Sequence, residues 1–118
     1  MASIIMRIST HVLDIAQGRP AKDVAVRLEQ RDANDNWRLV ASGHTDVGGR
    51  CPQLLSKNET LAPGVYCLRF DTETYFAARK LETLYPFVEI TFHVRSAEEN
   101  FHLPLLLSPH GYTTYRGS

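Results

Sequence analysis

The amino-acid sequence predicts an all-β protein: a two-sheet β-sandwich of seven or eight short strands with one short helix. Three observations predict it. Apolar and polar residues alternate with a period of two in most segments, the mark of a strand with one buried face. Clusters rich in Gly, Pro, Asn and Asp separate those segments. There is no alternation of strands with long helices, no internal repeat, no low-complexity segment and no linker, so a parallel α/β sheet is not expected. The 118 residues are enough for one core and too few for two, so one domain spanning 1–118 is expected.

The elements follow in order. Ile4, Met6, Ile8 and Val12 alternate with Arg7, Ser9 and His11, a half-buried strand. Gly18-Arg19-Pro20 breaks it. Val24, Val26 and Leu28 alternate with Arg27, Glu29 and Arg31 in a second strand. The turn cluster Asp32-Ala33-Asn34-Asp35-Asn36 follows, and Trp37 to Ala41 reads as the returning strand of a hairpin. Gly43 to Arg50 is a glycine-rich loop, with a short strand expected near Gln53 to Leu55. After the Pro63-Gly64 turn, Tyr66, Leu68 and Phe70 alternate with Cys67 and Arg69. Thr72 to Glu82 is the one helical stretch: Thr72 or Thr74 is the expected cap, and Phe76, Ala77, Lys80 and Leu81 fit a helical spacing. Val88, Ile90, Phe92 and Val94 form a clean alternation, as do Phe101, Leu103 and Leu105. Pro109-His110-Gly111 turns the chain into a last short strand, Tyr112 to Tyr115.

Composition narrows the function classes. Thirteen basic and thirteen acidic residues balance to a formal net charge of +0, which gives no field to gather nucleic acid or an anionic membrane surface. No apolar run approaches the ~20 residues of a membrane span. The N-terminus lacks the pattern of a secretory signal, and the two cysteines, Cys51 and Cys67, form no CxxC and no disulfide framework. Reduced thiols in a cytoplasmic protein are the expectation. No phosphate-binding glycine loop, nucleophile elbow, HxH or HExxH is present, so neither a metal nor a cofactor is expected.

Strand parity is the most useful reading. His11 lies on the face opposite Ile8 and Val12, and His102 opposite Phe101 and Leu103. If the apolar faces fill the sandwich, both imidazoles stand on its outside. Taken singly, each is an ordinary surface histidine. Arg50, after Gly48-Gly49, and the closing Tyr115-Arg116-Gly117-Ser118 likewise read, alone, as a solvated loop cation and a frayed end.

Three segments together resemble the transthyretin-like family. Ile8-Ser9-Thr10-His11-Val12-Leu13-Asp14, with Gly18-Arg19-Pro20-Ala21, is similar to its opening motif. His102 to Pro109 is similar to its penultimate strand, and Tyr115-Arg116-Gly117-Ser118 resembles the closing tetrapeptide of the family's 5-hydroxyisourate hydrolases. Hormone carriers of the same fold lack that tetrapeptide and the histidines. The likeness covers nearly the whole chain, including Trp37, Ala41-Ser42-Gly43 and the loop from Thr45 to Arg50; His110 departs from it, since family members often carry tyrosine there.

The resemblance implies an eight-stranded sandwich assembled as a homotetramer, with sites along a central channel between subunits. It implies a cofactor-independent hydrolase acting on a small polar ring. His11, Arg50, His102 and Ser118 match the catalytic set, and Tyr115, Arg116 and Gly117 the substrate-binding tail. The expected chemistry is a histidine-activated water, with Arg50 stabilising the developing oxyanion. Which histidine takes the proton stays open at the level of sequence. The rival is a transthyretin-like carrier of a small aromatic ligand, for which a more apolar wall is expected.

Overall fold

The computed structural model describes residues 7–56 and 58–118. Within them eight strands form two four-stranded sheets. The strands are β1 (Ile8–Asp14), β2 (Arg19–Pro20), β3 (Ala25–Arg31), β4 (Trp37–His44), β5 (Gly64–Phe70), β6 (Val88–Val94), β7 (Phe101–Ser108) and β8 (Gly111–Thr114). One sheet runs β2-β1-β7-β8 and the other β4-β3-β5-β6. The helix α1 (Thr72–Ala77) connects β5 to β6. This is the expected all-β sandwich with one short helix.

The alternation dictates the core. In β1 burial alternates strictly: Ile8, Thr10, Val12 and Asp14 are buried, while Ser9, His11 and Leu13 are half-buried. Ile8 and Val12 meet Leu105 and Leu107 of β7 and Val26, Leu28, Leu68 and Phe70 of the second sheet in one apolar cluster between the sheets. Burying such side chains is worth about 1.5–3 kcal/mol each. Two polar residues on the inward face of β1 are satisfied locally. Thr10 Oγ1 donates to the Leu103 carbonyl at 2.7 Å. Asp14 accepts from the Ala16 and Gln17 amides and from the Tyr75 hydroxyl at 2.7 Å, which ties α1 to the first sheet. Burial, reinforced by that bond to Asp14, pushes the Tyr75 phenol up to about 12.

Three sequence expectations change at the level of elements, and part of a fourth is not described. The first strand's Ile4 and Met6 lie outside the described residues. Arg19–Pro20, read as a break, forms the two-residue edge strand β2 against Leu13 and Asp14; an edge tolerates proline because one side needs no amide donor. Gln53 to Leu55 is not a strand. Leu54 and Leu55 are buried instead, and the Leu55 carbonyl accepts from the Arg7 and Ile8 amides. The helix ends at Ala77 rather than Glu82, and its cap is Asp71, whose side chain accepts from the Thr74 amide. Lys80 takes a left-handed φ of 59°, and the Lys80 and Leu81 amides donate to Ala77 and Phe76. That pair of bonds is a C-terminal closing motif. With only Thr72, Tyr75 and Phe76 buried, nothing apolar remains to propagate the helix further.

One pairing positions the site. β1 and β7 run parallel with Ser9 opposite His102 and His11 opposite Pro104. Residues opposite one another in register share a face. Ser9, His11 and His102 therefore stand together on the outside of the first sheet.

Candidate active site

The outer face of β1 and β7 is roofed by two segments that the strand pattern does not anticipate. The first is the loop after β4. Asp46 Oδ1 accepts from the amides of Gly48 at 2.9 Å and Arg50 at 3.0 Å, which closes the loop on itself. Gly49 has φ +80°, and a Cβ there would collide with the Val12 carbonyl oxygen. Only glycine allows both the conformation and the approach. The Val12 amide donates to the Gly49 carbonyl at 2.8 Å, and Arg50 forms an isolated bridge with His11. The loop thereby brings a guanidinium to the sheet and offers the Gly48 carbonyl to His11, whose Nε2–H donates to it at 2.8 Å. A carbonyl only accepts, so His11 carries a proton on Nε2.

The second segment is the chain's closing stretch. The Gly117 amide donates to the His102 carbonyl at 2.7 Å. A Cβ on Gly117 would lie 2.7 Å from His102 Cδ2, so the absent side chain lets the backbone lie against the ring. Arg116 Nη2 donates to Glu99 and to the Asn100 carbonyl, both at 3.2 Å. Its guanidinium carbon sits 4.4 Å from the centre of the Phe101 ring.

Between these segments lies a cleft of about 630 Å³, whose wall includes Ser9, Arg50, Cys51, His102, Gly117 and Ser118, with Asp46 and Asn100 at its sides. Of the residues expected from sequence, Arg50, His102, Gly117 and Ser118 meet in it. His11 stands beside Arg50, turned onto Gly48 rather than into the wall. Arg116 is engaged on Glu99, and Tyr115 is exposed on the outside of the tail. Among the described residues no group of three or more His, Cys, Asp or Glu side chains could hold a metal ion.

The electrostatics favour a neutral base. Burial, with further effects from His11 and Arg50, holds the His102 imidazole below its usual value. His102 Nδ1 lies 2.8 Å from Ser9 Oγ, in hydrogen-bond contact, which leaves Nε2 as the free ring nitrogen. The set can take a proton from water, place a fixed cation against a developing oxyanion and hold a polar ring between two backbone segments.

Sequence reasoning misses Ser9, Asp46 and Asn100. Ser9 has a usable signal, since it lies two residues before His11 and shares its face. Asp46 has a weaker one, an aspartate just before Gly48-Gly49 in a loop. Asn100 has none.

Comparison with known proteins identifies the family. The HIUase/Transthyretin family matches residues 8–117. The mouse 5-hydroxyisourate hydrolase is 44% identical over the full length of both chains. The Pseudomonas aeruginosa 5-hydroxyisourate hydrolase is 39% identical, covering 95% of this chain and 91% of the relative. Among solved structures, the Klebsiella pneumoniae 5-hydroxyisourate hydrolase superposes with a TM-score of 0.80 at 34% identity, covering 98% of this chain and 100% of that one. Sea bream transthyretin in complex with thyroxine gives 0.88 at 30% identity, covering 94% of each chain. On a match that spans the sandwich from β1 to the closing tail, the chain belongs to the HIUase/Transthyretin family.

Proposed function

We propose that this protein is a cofactor-independent hydrolase that opens the ring of 5-hydroxyisourate to 2-oxo-4-hydroxy-4-carboxy-5-ureidoimidazoline, a step of urate degradation. The observation that carries the reading is a depressed imidazole, His102, sharing one cleft with Arg50 and Ser118. His102 Nε2 takes a proton from water as the water oxygen attacks the ring carbonyl carbon. Arg50 holds the negative charge that forms on the carbonyl oxygen. Collapse of that oxyanion breaks the carbon–nitrogen bond, and the imidazolium returns its proton to the leaving nitrogen. Ser118 supports the attacking water. His11, fixed on Gly48, keeps Arg50 and its loop against β1. Gly117 lets the tail lie against His102 as one wall of the substrate cleft, Arg116 fastens the tail, and Tyr115 offers an exposed hydroxyl beside it.

The same reading includes a cytoplasmic homotetramer in which the exposed face of the β2-β1-β7-β8 sheet lines a channel between subunits. Tyr115, exposed on one chain, would then meet a neighbouring subunit at the channel wall.

A carrier for a small aromatic ligand is the second reading, favoured by the higher TM-score against a thyroxine-bound transthyretin. Arg50, His102 and Ser118, gathered in one wall of the cleft, supply the groups a hydrolysis needs and argue for turnover. Mixing the purified protein with freshly generated 5-hydroxyisourate and following its ultraviolet decay separates the two. Decay well above the spontaneous background is expected. Decay at the background rate, with saturable binding of an aromatic ligand, would replace the hydrolase with the carrier.

A further inference from the structure

We infer that Ser9 is a positioning residue of this site: its hydroxyl accepts a hydrogen bond from Nδ1–H of His102 and so keeps the Nε2 lone pair turned to the cleft. The inference rests on the hydrolase reading for its kinetic consequences and for the need of a base in the cleft, while the Ser9–His102 contact stands on the fold alone.

The contact follows from the fold. Parallel pairing sets Ser9 directly opposite His102, and both face outward. Oγ and Nδ1 are 2.8 Å apart across the two strands. A neutral imidazole has one donor and one acceptor nitrogen, so the partner of Nδ1 decides what Nε2 does. If the hydroxyl accepts from Nδ1–H, Nε2 is a base. If it donates to Nδ1, Nε2 carries the proton and can only donate.

Two observations favour the accepting arrangement. Ser9 itself lines the cleft, so its own proton is free to point at a water or a substrate oxygen. The opposite tautomer would add an N–H donor to a wall already furnished with the Arg50 guanidinium. It would also leave the cleft without a neutral nitrogen base, because His11 stands outside the wall with Nε2–H committed to Gly48. His11 on β1 and Arg50 on the loop bias the ring electrostatically; the other titratable or charged groups around the cleft are Asp46 and Cys51 in its lining, and Arg116 of the tail paired with Glu99 of the segment before β7. A change at Ser9 alters none of them.

The test is a matched pair. Ser9→Thr keeps the hydroxyl, and Ser9→Val has the shape of threonine without it. Ser9→Val should lose kcat by about 10- to 100-fold, the scale on which outer partners of working imidazoles act, with KM little changed. Ser9→Thr should recover most of that loss. The acid limb of kcat/KM should move to lower pH in Ser9→Val, because the imidazolium loses an oxygen that accepted its Nδ1–H. Movement to higher pH would mean that the hydroxyl donates, and would overturn the inference. Equal behaviour of the two variants would also overturn it, since only shape would then matter.

Nitrogen-15 NMR of His102 reads the same feature without turnover. The wild-type ring should show a protonated Nδ1 and a bare Nε2, and Ser9→Val a mixture of tautomers. A bare Nδ1 in the wild type would refute the inference. A wild type that leaves 5-hydroxyisourate at its background decay yet shows the protonated Nδ1 would remove the proposed function and leave the role of Ser9 on the ring standing.

Discussion

His102 combines, in one side chain, the placement of an outward strand position and the titration of a partly buried group. A neutral ring below its ordinary pKa is ready to accept a proton over the physiological range. His102→Ala should therefore cut kcat by about 100- to 10,000-fold, the usual loss of a general base, with the circular dichroism spectrum unchanged. The wild-type acid limb of kcat/KM should fall below the usual histidine value of about 6.5, since burial lowers the pKa in the folded state. The same shift gives stability a sign. Above about 6.5 the ring is neutral in folded and unfolded chains alike, and this contribution is fully present. As pH falls through 6.5 the unfolded ring binds its proton first, so stability declines until the folded ring protonates too. Urea titrations of the wild type at falling pH should show that decline, and His102→Ala should flatten it. The outward placement of His11 and His102 was legible in strand parity alone. Arg50 was not, because its position depends on a loop lying against a strand distant in sequence, which no local pattern records.

At the scale of elements, two short segments convert a sheet face into a cleft, and a glycine governs each. Gly49 lets the 46–50 loop meet β1, and Gly117 lets the tail lie on the His102 ring. Gly117→Ala would bring a methyl within 2.7 Å of His102 Cδ2 and 3.3 Å of the His102 carbonyl oxygen. The tail must then lift, and misplacement by about 1 Å is enough to cost roughly 100-fold in rate. Turnover of Gly117→Ala should fall by that order while its melting temperature stays near the wild type; an unaltered rate would show that the tail need not touch the ring. The strands themselves were readable because alternation is local. Lys80 and Leu81 fit a helical spacing, yet Leu81 is exposed and offers no buried face on which the helix could continue past Ala77. Gln53 to Leu55 has the pattern of a strand but forms none, because a short apolar run can equally be buried in the core without pairing.

For the molecule as a whole, the sandwich does not decide the chemistry. The backbone lies nearer, by TM-score, to a transthyretin bound to thyroxine than to a 5-hydroxyisourate hydrolase, 0.88 against 0.80. A shared fold hosts different functions, and function resides in the side chains set on it. Stability and activity should accordingly separate along the sheet. Leu105 is fully buried between the sheets on β7, and Leu105→Ala should cost about 2–5 kcal/mol, a large part of a typical margin of roughly 5–15 kcal/mol. Removing residues 115–118 gives up an exposed Arg116–Glu99 pair and the Gly117 amide bond to His102. The exposed pair is worth at most about 1 kcal/mol. The truncated chain should therefore melt within a few degrees of the wild type, because the core is untouched, and hydrolyse 5-hydroxyisourate no faster than the background. Calorimetry beside the ultraviolet assay checks both halves. A truncated protein that keeps full turnover would confine the chemistry to the β1–β7 face and the 46–50 loop, whereas one that unfolds would make the tail part of the sandwich rather than a wall laid against it.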